Sequence, residues 1–158
     1  MKCLSLWQPW ATLIAIGAKS IETRSWYTRH RGPLLIHASK RQDKDSLELC
    51  LEEPFRSALA AGGLTKIGDL PFGQIVAVGD LVGCYHCHEC GMGYGPPPQC
   101  SIPESERPFG NFTPGRFGWV LRNVRRFPTP ISYTGHQGLF NVPDDIVAEQ
   151  LALAQEDR

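Results

Sequence analysis

Gln74-Ile-Val-Ala-Val-Gly-Asp-Leu-Val-Gly-Cys84 is the stretch that decides the fold. Ile75, Val76, Val78, Leu81 and Val82 make it the strongest strand in the chain, and Gly79 and Gly83 mark bends or bulges within it. A run this apolar needs cover from other elements, and the sequence supplies them on both sides. Upstream, residues 3–7 alternate as a short strand, and Trp10, Leu13, Ile14 and Gly17 recur at helical spacing behind Pro9. Residues 20–25 form a second strand, with Ser20, Glu22, Arg24 and Trp26 on one face, and 33–38 a third. Asp43–Ala61 reads as helix, broken at Pro54. Downstream, Phe117–Val124 is strand ended by Phe127-Pro-Thr-Pro, Gly135-His-Gln-Gly turns into a short strand, and Pro143–Ala154 is a helix opened by two Asp. About six strands in mixed order with two or three helices predict an α+β domain, a small barrel or rolled sheet with flanking helices.

The chain has 158 residues, one domain's worth, and 42% of them are hydrophobic, which excludes a disordered chain. No apolar run approaches the ~18 residues of a membrane span. Only Lys2 precedes the first apolar run, so no signal peptide is expected and the expected compartment is the cytoplasm. Net charge is zero but unevenly spread. Lys19, Arg24, Arg29, Arg31, Lys40 and Arg41 face only Glu22 in their segment, and four Arg lie between Arg116 and Arg126. Acids gather at 43–53 and 144–157. Eleven Arg against five Lys suit bidentate phosphate contacts.

Residues 85–114 are crowded with Cys, His, Gly and Pro and read as one long insertion loop in a single domain spanning 1–158. Cys84, Cys87, Cys90 and Cys100, with His86 or His88 as alternatives, could close a tetrahedral zinc site. Free thiols on a loop are the competing reading, and structural zinc is the one cofactor the sequence suggests.

Gly17-x-Lys19-x-x-Glu22-x-Arg24, preceded by Leu4-Ser-Leu-Trp-Gln-Pro-Trp and followed by Ser25-Trp26-Tyr27-Thr28 and Arg31-Gly32, resembles the ASCH family. The flanks are similar to the ASCH domain of activating signal cointegrator coactivators. The resemblance implies a PUA-like fold, a small β-barrel of about six mixed strands with flanking helices, and a cleft lined by the motif. It also implies a link to RNA or nucleosides: some members are nucleic-acid-binding modules, others are amidohydrolases that deacylate N4-acetylcytidine, and ribonuclease activity has been proposed for some.

The residues fit a binding role. Lys19, Arg24, Arg29, Arg31 and Lys40 are candidate phosphate contacts. Glu22 either orients Arg24 or accepts from a base, and Trp26 and Tyr27 offer stacking faces. Lys19 alternatively complements a helix C-terminus. The expected partner is single-stranded RNA or DNA, or a nucleotide. In the alternative, an amidohydrolase or ribonuclease, Lys19 and Glu22 would be catalytic. That reading departs from the family pattern, because the hydrolases' Thr falls at Glu22 here and their acid would be Asp80.

Overall fold

The computed structural model describes residues 1–89, 91–93 and 101–156. Its centre is β4 (Gln74–His88), flanked by β3 (Gly32–Ala38) and β6 (Phe117–Ser132), both antiparallel to it. β1 (Lys2–Leu6) runs parallel to β3, β2 (Ile21–Arg24) pairs with β6, and β7 (Leu139–Asn141) pairs with β1. β5 (Gly91–Gly93) adds to the far end of β4. The sheet order is β2-β6-β4-β3-β1-β7. The parallel β1–β3 pair requires a crossover, which α1 (Trp10–Ala15) and β2 supply.

The expected barrel is not closed: β2 and β7 end the path without pairing to each other among the described residues. Both end strands are short, four and three residues, which limits the exposed edge without closure. Among the described residues the fold is therefore α+β around an open seven-stranded mixed sheet with four α-helices.

Each face of the sheet has its own core, set by period-two alternation. Leu4, Leu6, Leu34, Ile36 and Val76 pack with Ala11, Ile14 and Ala15 of α1. Cys3, Leu35, Ile75 and Val78 point the other way, toward Val147 and Ala154 of α4 (Asp144–Glu156). Burial between α1 and α4 explains the unbroken apolar run that opens β4. The predicted bends appear as register shifts between Val78 and Asp80 and between Leu81 and Gly83. A third core joins Leu13 to Phe55, Leu59 and Phe109. It covers α2 (Lys44–Glu48), a 3₁₀ turn at Leu49–Leu51 and α3 (Phe55–Ala61), so the predicted helix is indeed divided at Pro54.

β6 outruns its predicted end at Val124 because Pro128 and Pro130 fall where the strand bulges away from β4. Between those prolines the Thr129 amide donates to Gln150 Oε1 of α4 at 3.0 Å, so its hydrogen bond comes from the helix rather than the sheet. The stretch read as one loop also has structure. Residues 85–88 continue β4, and Met92, Ile102 and Phe109 are buried. No described helix is long and apolar enough to cross a membrane.

Candidate functional site

The motif begins where α1 stops. Gly17 takes a positive φ of 79°, and the Lys19 amide donates to Leu13 O at 3.1 Å, closing the helix end. This turn directs the Lys19 side chain inward, where the residue is 1% exposed. Its Nζ donates to the Ile21 carbonyl and, at 2.9 Å, to the Phe109 carbonyl, and lies 3.7 Å from Glu22 Oε2. Burial pushes the Lys19 ammonium below its ordinary pKa, against the opposing pull of Glu22 and Glu106. Rather than offering a phosphate contact, Lys19 braces the core, with its donors turned to main-chain carbonyls.

The segment that Lys19 holds is tied down a second time. Glu106, 5% exposed, accepts from the Ser20 amide at 2.6 Å, the Ser20 hydroxyl at 2.5 Å and the Ile21 amide at 3.2 Å. Residues 106–109, far from the motif in sequence, thus complete its base.

From Lys19 the charges step outward along β2. Glu22 Oε1 is 3.2 Å from Arg24 Nε, and Arg24 Nη2 donates to the Ser5 carbonyl on β1 at 2.8 Å. Arg24 is the member of the motif that reaches the main cleft. It lines a cleft of about 1340 Å³ with Trp7, Trp26, Lys40 and Arg41, opposite the loop from Tyr133 to Gly138. No carboxylate lines this cleft among the described residues. Arg41 stacks over Trp7, its guanidinium carbon 4.5 Å from the ring centre. An adjoining recess of about 290 Å³ shares Ser5, Trp7 and Arg24 and has Glu22 on its wall.

The other predicted binding residues divide between the cleft and other surfaces. Trp26 reaches the cleft but also packs edge-on to buried Trp119, with 4.6 Å between ring centres. Tyr27 leans on Phe117 at 5.8 Å, away from the cleft lining. Arg31 donates to the carbonyls of Thr28 and His30 at 2.9 and 2.7 Å, stitching its own turn. Neither Arg31 nor Arg29 lines the cleft. The arginines of 116–126 do not meet it either: Arg116 lines a recess beside Phe109, and Arg126 one beside Gly68.

The described residues hold only part of the predicted zinc set, and among them there is no cluster of three or more His, Cys, Asp or Glu suited to a metal. Cys84 is buried with Trp119 and Leu121, whereas Cys87 is buried with Ile21 and Met92. Three residues apart on a strand, the two thiols face opposite sides of the sheet. The His86 ring packs on Phe117 at 4.4 Å, and His88 Nε2 is 3.3 Å from the Gly93 carbonyl. Cys90 and Cys100 lie outside the described residues.

Sequence reasoning missed Ser5, His37 and the 133–138 loop as cleft residues, and it favours a core place for Trp7, which the structure puts on the cleft wall. His37 is 1% exposed, yet it belongs to the cleft lining. The Gly-His-Gln-Gly run at 135–138 was the available signal: two glycines around polar residues let a backbone lie close to a neighbouring surface.

Comparison with known proteins agrees with this architecture. Over 82 residues the chain is 38% identical to activating signal cointegrator 1 of Homo sapiens and, equally, of Mus musculus. The match takes in 52% of this chain and 14% of those proteins, so the chain spans only a small part of their length. The crystal structure of ASCH from Zymomonas mobilis superposes with a TM-score of 0.52 at 15% identity, covering 96% of this chain and 93% of that one. A point mutant of the same protein gives 0.51 at 15% identity, covering 96% of this chain and 94% of that one. At that identity the likeness concerns the fold. The ASCH domain model matches residues 4–128, most of the chain, and this protein belongs to the ASCH domain family.

Proposed function

We propose that this ASCH domain binds single-stranded nucleic acid, or a nucleotide, in the cleft between β1, β3 and the 133–138 loop. The observation that carries the reading is the lining itself: Arg24, Lys40 and Arg41 converge on one concavity that contains Trp7 and Trp26 and no carboxylate. Arginine and lysine there hold phosphates, and an exposed indole face adds base stacking of roughly 1–3 kcal/mol that tolerates any base. Trp7 is 41% exposed and already carries a guanidinium on its ring, so a base arriving there displaces or joins Arg41. Lys19 and Glu22 do not touch the ligand in this scheme. They hold β2 so that Arg24 stands at the rim.

An amidohydrolase or ribonuclease working through Lys19 would need its amine at the substrate. Here that amine is buried on two carbonyls, and this favours binding over Lys19-based catalysis.

The test is titration of short labelled single strands, RNA and DNA in separate arms, with a duplex control, across a salt series. Three cationic contacts at ~0.7 each give a slope of about −2 in log affinity against log salt. Salt-independent binding, or no binding of either single strand, rejects the reading.

A further inference from the structure

The floor of the cleft holds a pair of side chains that phosphate binding leaves unused. Ser5 and His37 are register partners on the parallel strands β1 and β3. Ser5 Oγ lies 2.9 Å from His37 Nδ1, and the other ring nitrogen, Nε2, lies 3.0 Å from the Tyr133 carbonyl. A carbonyl only accepts, so in the neutral ring Nε2 carries the proton, Nδ1 offers its lone pair and the Ser5 hydroxyl donates to it. Burial holds the ring below its ordinary pKa of 6.5, and His136 on the facing loop pushes the same way, against the Tyr133 carbonyl, which favours the charged form. The neutral form therefore prevails at pH 7.

Packing fixes the pair. Phe140 meets the imidazole edge-on, 6.2 Å between centres. Gly135 lies so close that a Cβ there would come within 2.4 Å of His37 Cε1 and 2.6 Å of Ser5 Oγ. Arg24 donates to the Ser5 main-chain carbonyl at 2.8 Å, and both residues line the cleft, so a permanent positive charge shares the concavity with the hydroxyl. A hydroxyl, a base facing it and an acceptor that fixes the tautomer of the base are the parts of an activated nucleophile.

We propose that Ser5 and His37 are a catalytic dyad that cleaves acyl esters of phosphorylated alcohols held in this cleft. The substrate class rests on the binding reading above; the dyad rests on its own geometry. Ser5 Oγ attacks the ester carbonyl carbon while its proton passes to His37 Nδ1, and the carbonyl π pair moves onto the carbonyl oxygen. Collapse breaks the bond to the alcohol oxygen, which takes the proton from His37. Water then attacks the acyl group on Ser5 and gives its proton to Nδ1. That proton returns to Ser5 Oγ as the acid leaves. Behind His37 stands a carbonyl rather than a carboxylate, so the imidazolium gains less support than in a full triad. Esters, with their better leaving groups, suit such a site better than amides do.

The experiment uses the full chain with p-nitrophenyl acetate as substrate and a fluorophosphonate as covalent probe, read by absorbance and by intact mass with peptide mapping. The expected result is one adduct on Ser5 and turnover reduced at least about 100-fold in Ser5→Ala. Adenosine monophosphate should slow the wild-type reaction by occupying the same cleft. His37→Gln disturbs a packed ring, so Ser5→Ala, which removes one hydroxyl, carries the test, with its melting curve as the check on folding. Absence of a Ser5 adduct, or equal turnover in Ser5→Ala, overturns the dyad. Oligonucleotide binding without acylation rejects the dyad alone. Acylation in a protein that binds no nucleotide rejects the binding reading and the substrate class with it.

Discussion

The two ends of the Gly-x-Lys-x-x-Glu-x-Arg motif are chemically alike and physically opposite. Lys19 is sealed in the interior with its ammonium on main-chain carbonyls, whereas Arg24, one strand turn away, stands at the rim of an open cleft. Glu22 touches both, at 3.7 Å on one side and 3.2 Å on the other. A cation in a motif is thus not by itself a ligand contact. Its burial decides whether it spends its donors on the fold or on a partner, and the lysine end here is spent on the fold. Altering each end should therefore fail in a different way.

The largest effect is expected at the buried end. Lys19→Met strips Glu22 of a buried partner and leaves the Phe109 and Ile21 carbonyls without their donor. Breaking such a pair costs about 3–5 kcal/mol, which for a chain of this size lowers the melting temperature by roughly 10 °C. Calorimetry that finds Lys19→Met as stable as the wild type would erase the distinction between the two ends.

Arg24→Ala should reverse the pattern. It removes a partly exposed ion pair and one hydrogen bond to Ser5, worth about 1–2 kcal/mol of stability together, and the charge-assisted ligand contact proposed above. Oligonucleotide affinity is expected to fall about tenfold or more while the melting temperature moves by only a few degrees.

Acid sharpens the contrast within the cleft floor. His37 has its folded pKa below the ordinary 6.5. Its stabilising contribution is complete above that value and declines as pH falls from 6.5 toward the folded pKa, because the unfolded chain takes the proton first. The slope added by this one group is at most about 1.4 kcal/mol per pH unit. Melting curves of wild type and His37→Gln should converge as pH drops through this window. Curves that stay parallel would mean that the histidine contributes nothing to the pH dependence. The smallest effect belongs to Lys40→Ala on the exposed rim: a salt slope shallower by ~0.7 and an unchanged melting temperature.

The legible part of the fold was the part built on one-dimensional pattern. β4 announced itself because cover from α1 and α4 makes its opening turn of residues apolar on both faces. β6 was cut short because Pro128 and Pro130 look like terminators, and only the long-range bond from Thr129 to Gln150 shows why the strand continues. The cleft was harder still. Ser5, His37 and Tyr133 are brought together by β1–β3 register and by the return of the chain after β6, and no local spacing encodes that meeting. The Cys/His run suggests a metal because such residues cluster in sequence; strand alternation sends Cys84 and Cys87 to opposite faces, and Cys90 and Cys100 lie outside the described residues.

The most direct test compares two double variants in one oligonucleotide binding assay at fixed salt. Arg24→Ala with Lys40→Ala empties the cleft of two cations; Arg29→Ala with Arg31→Ala removes two cations from the turn beside it. Both lose the same formal charge. The placement of the site described here requires the first pair to lose most of its affinity and the second to bind nearly as the wild type does. Equal losses in both, or a loss confined to Arg29 and Arg31, would contradict it.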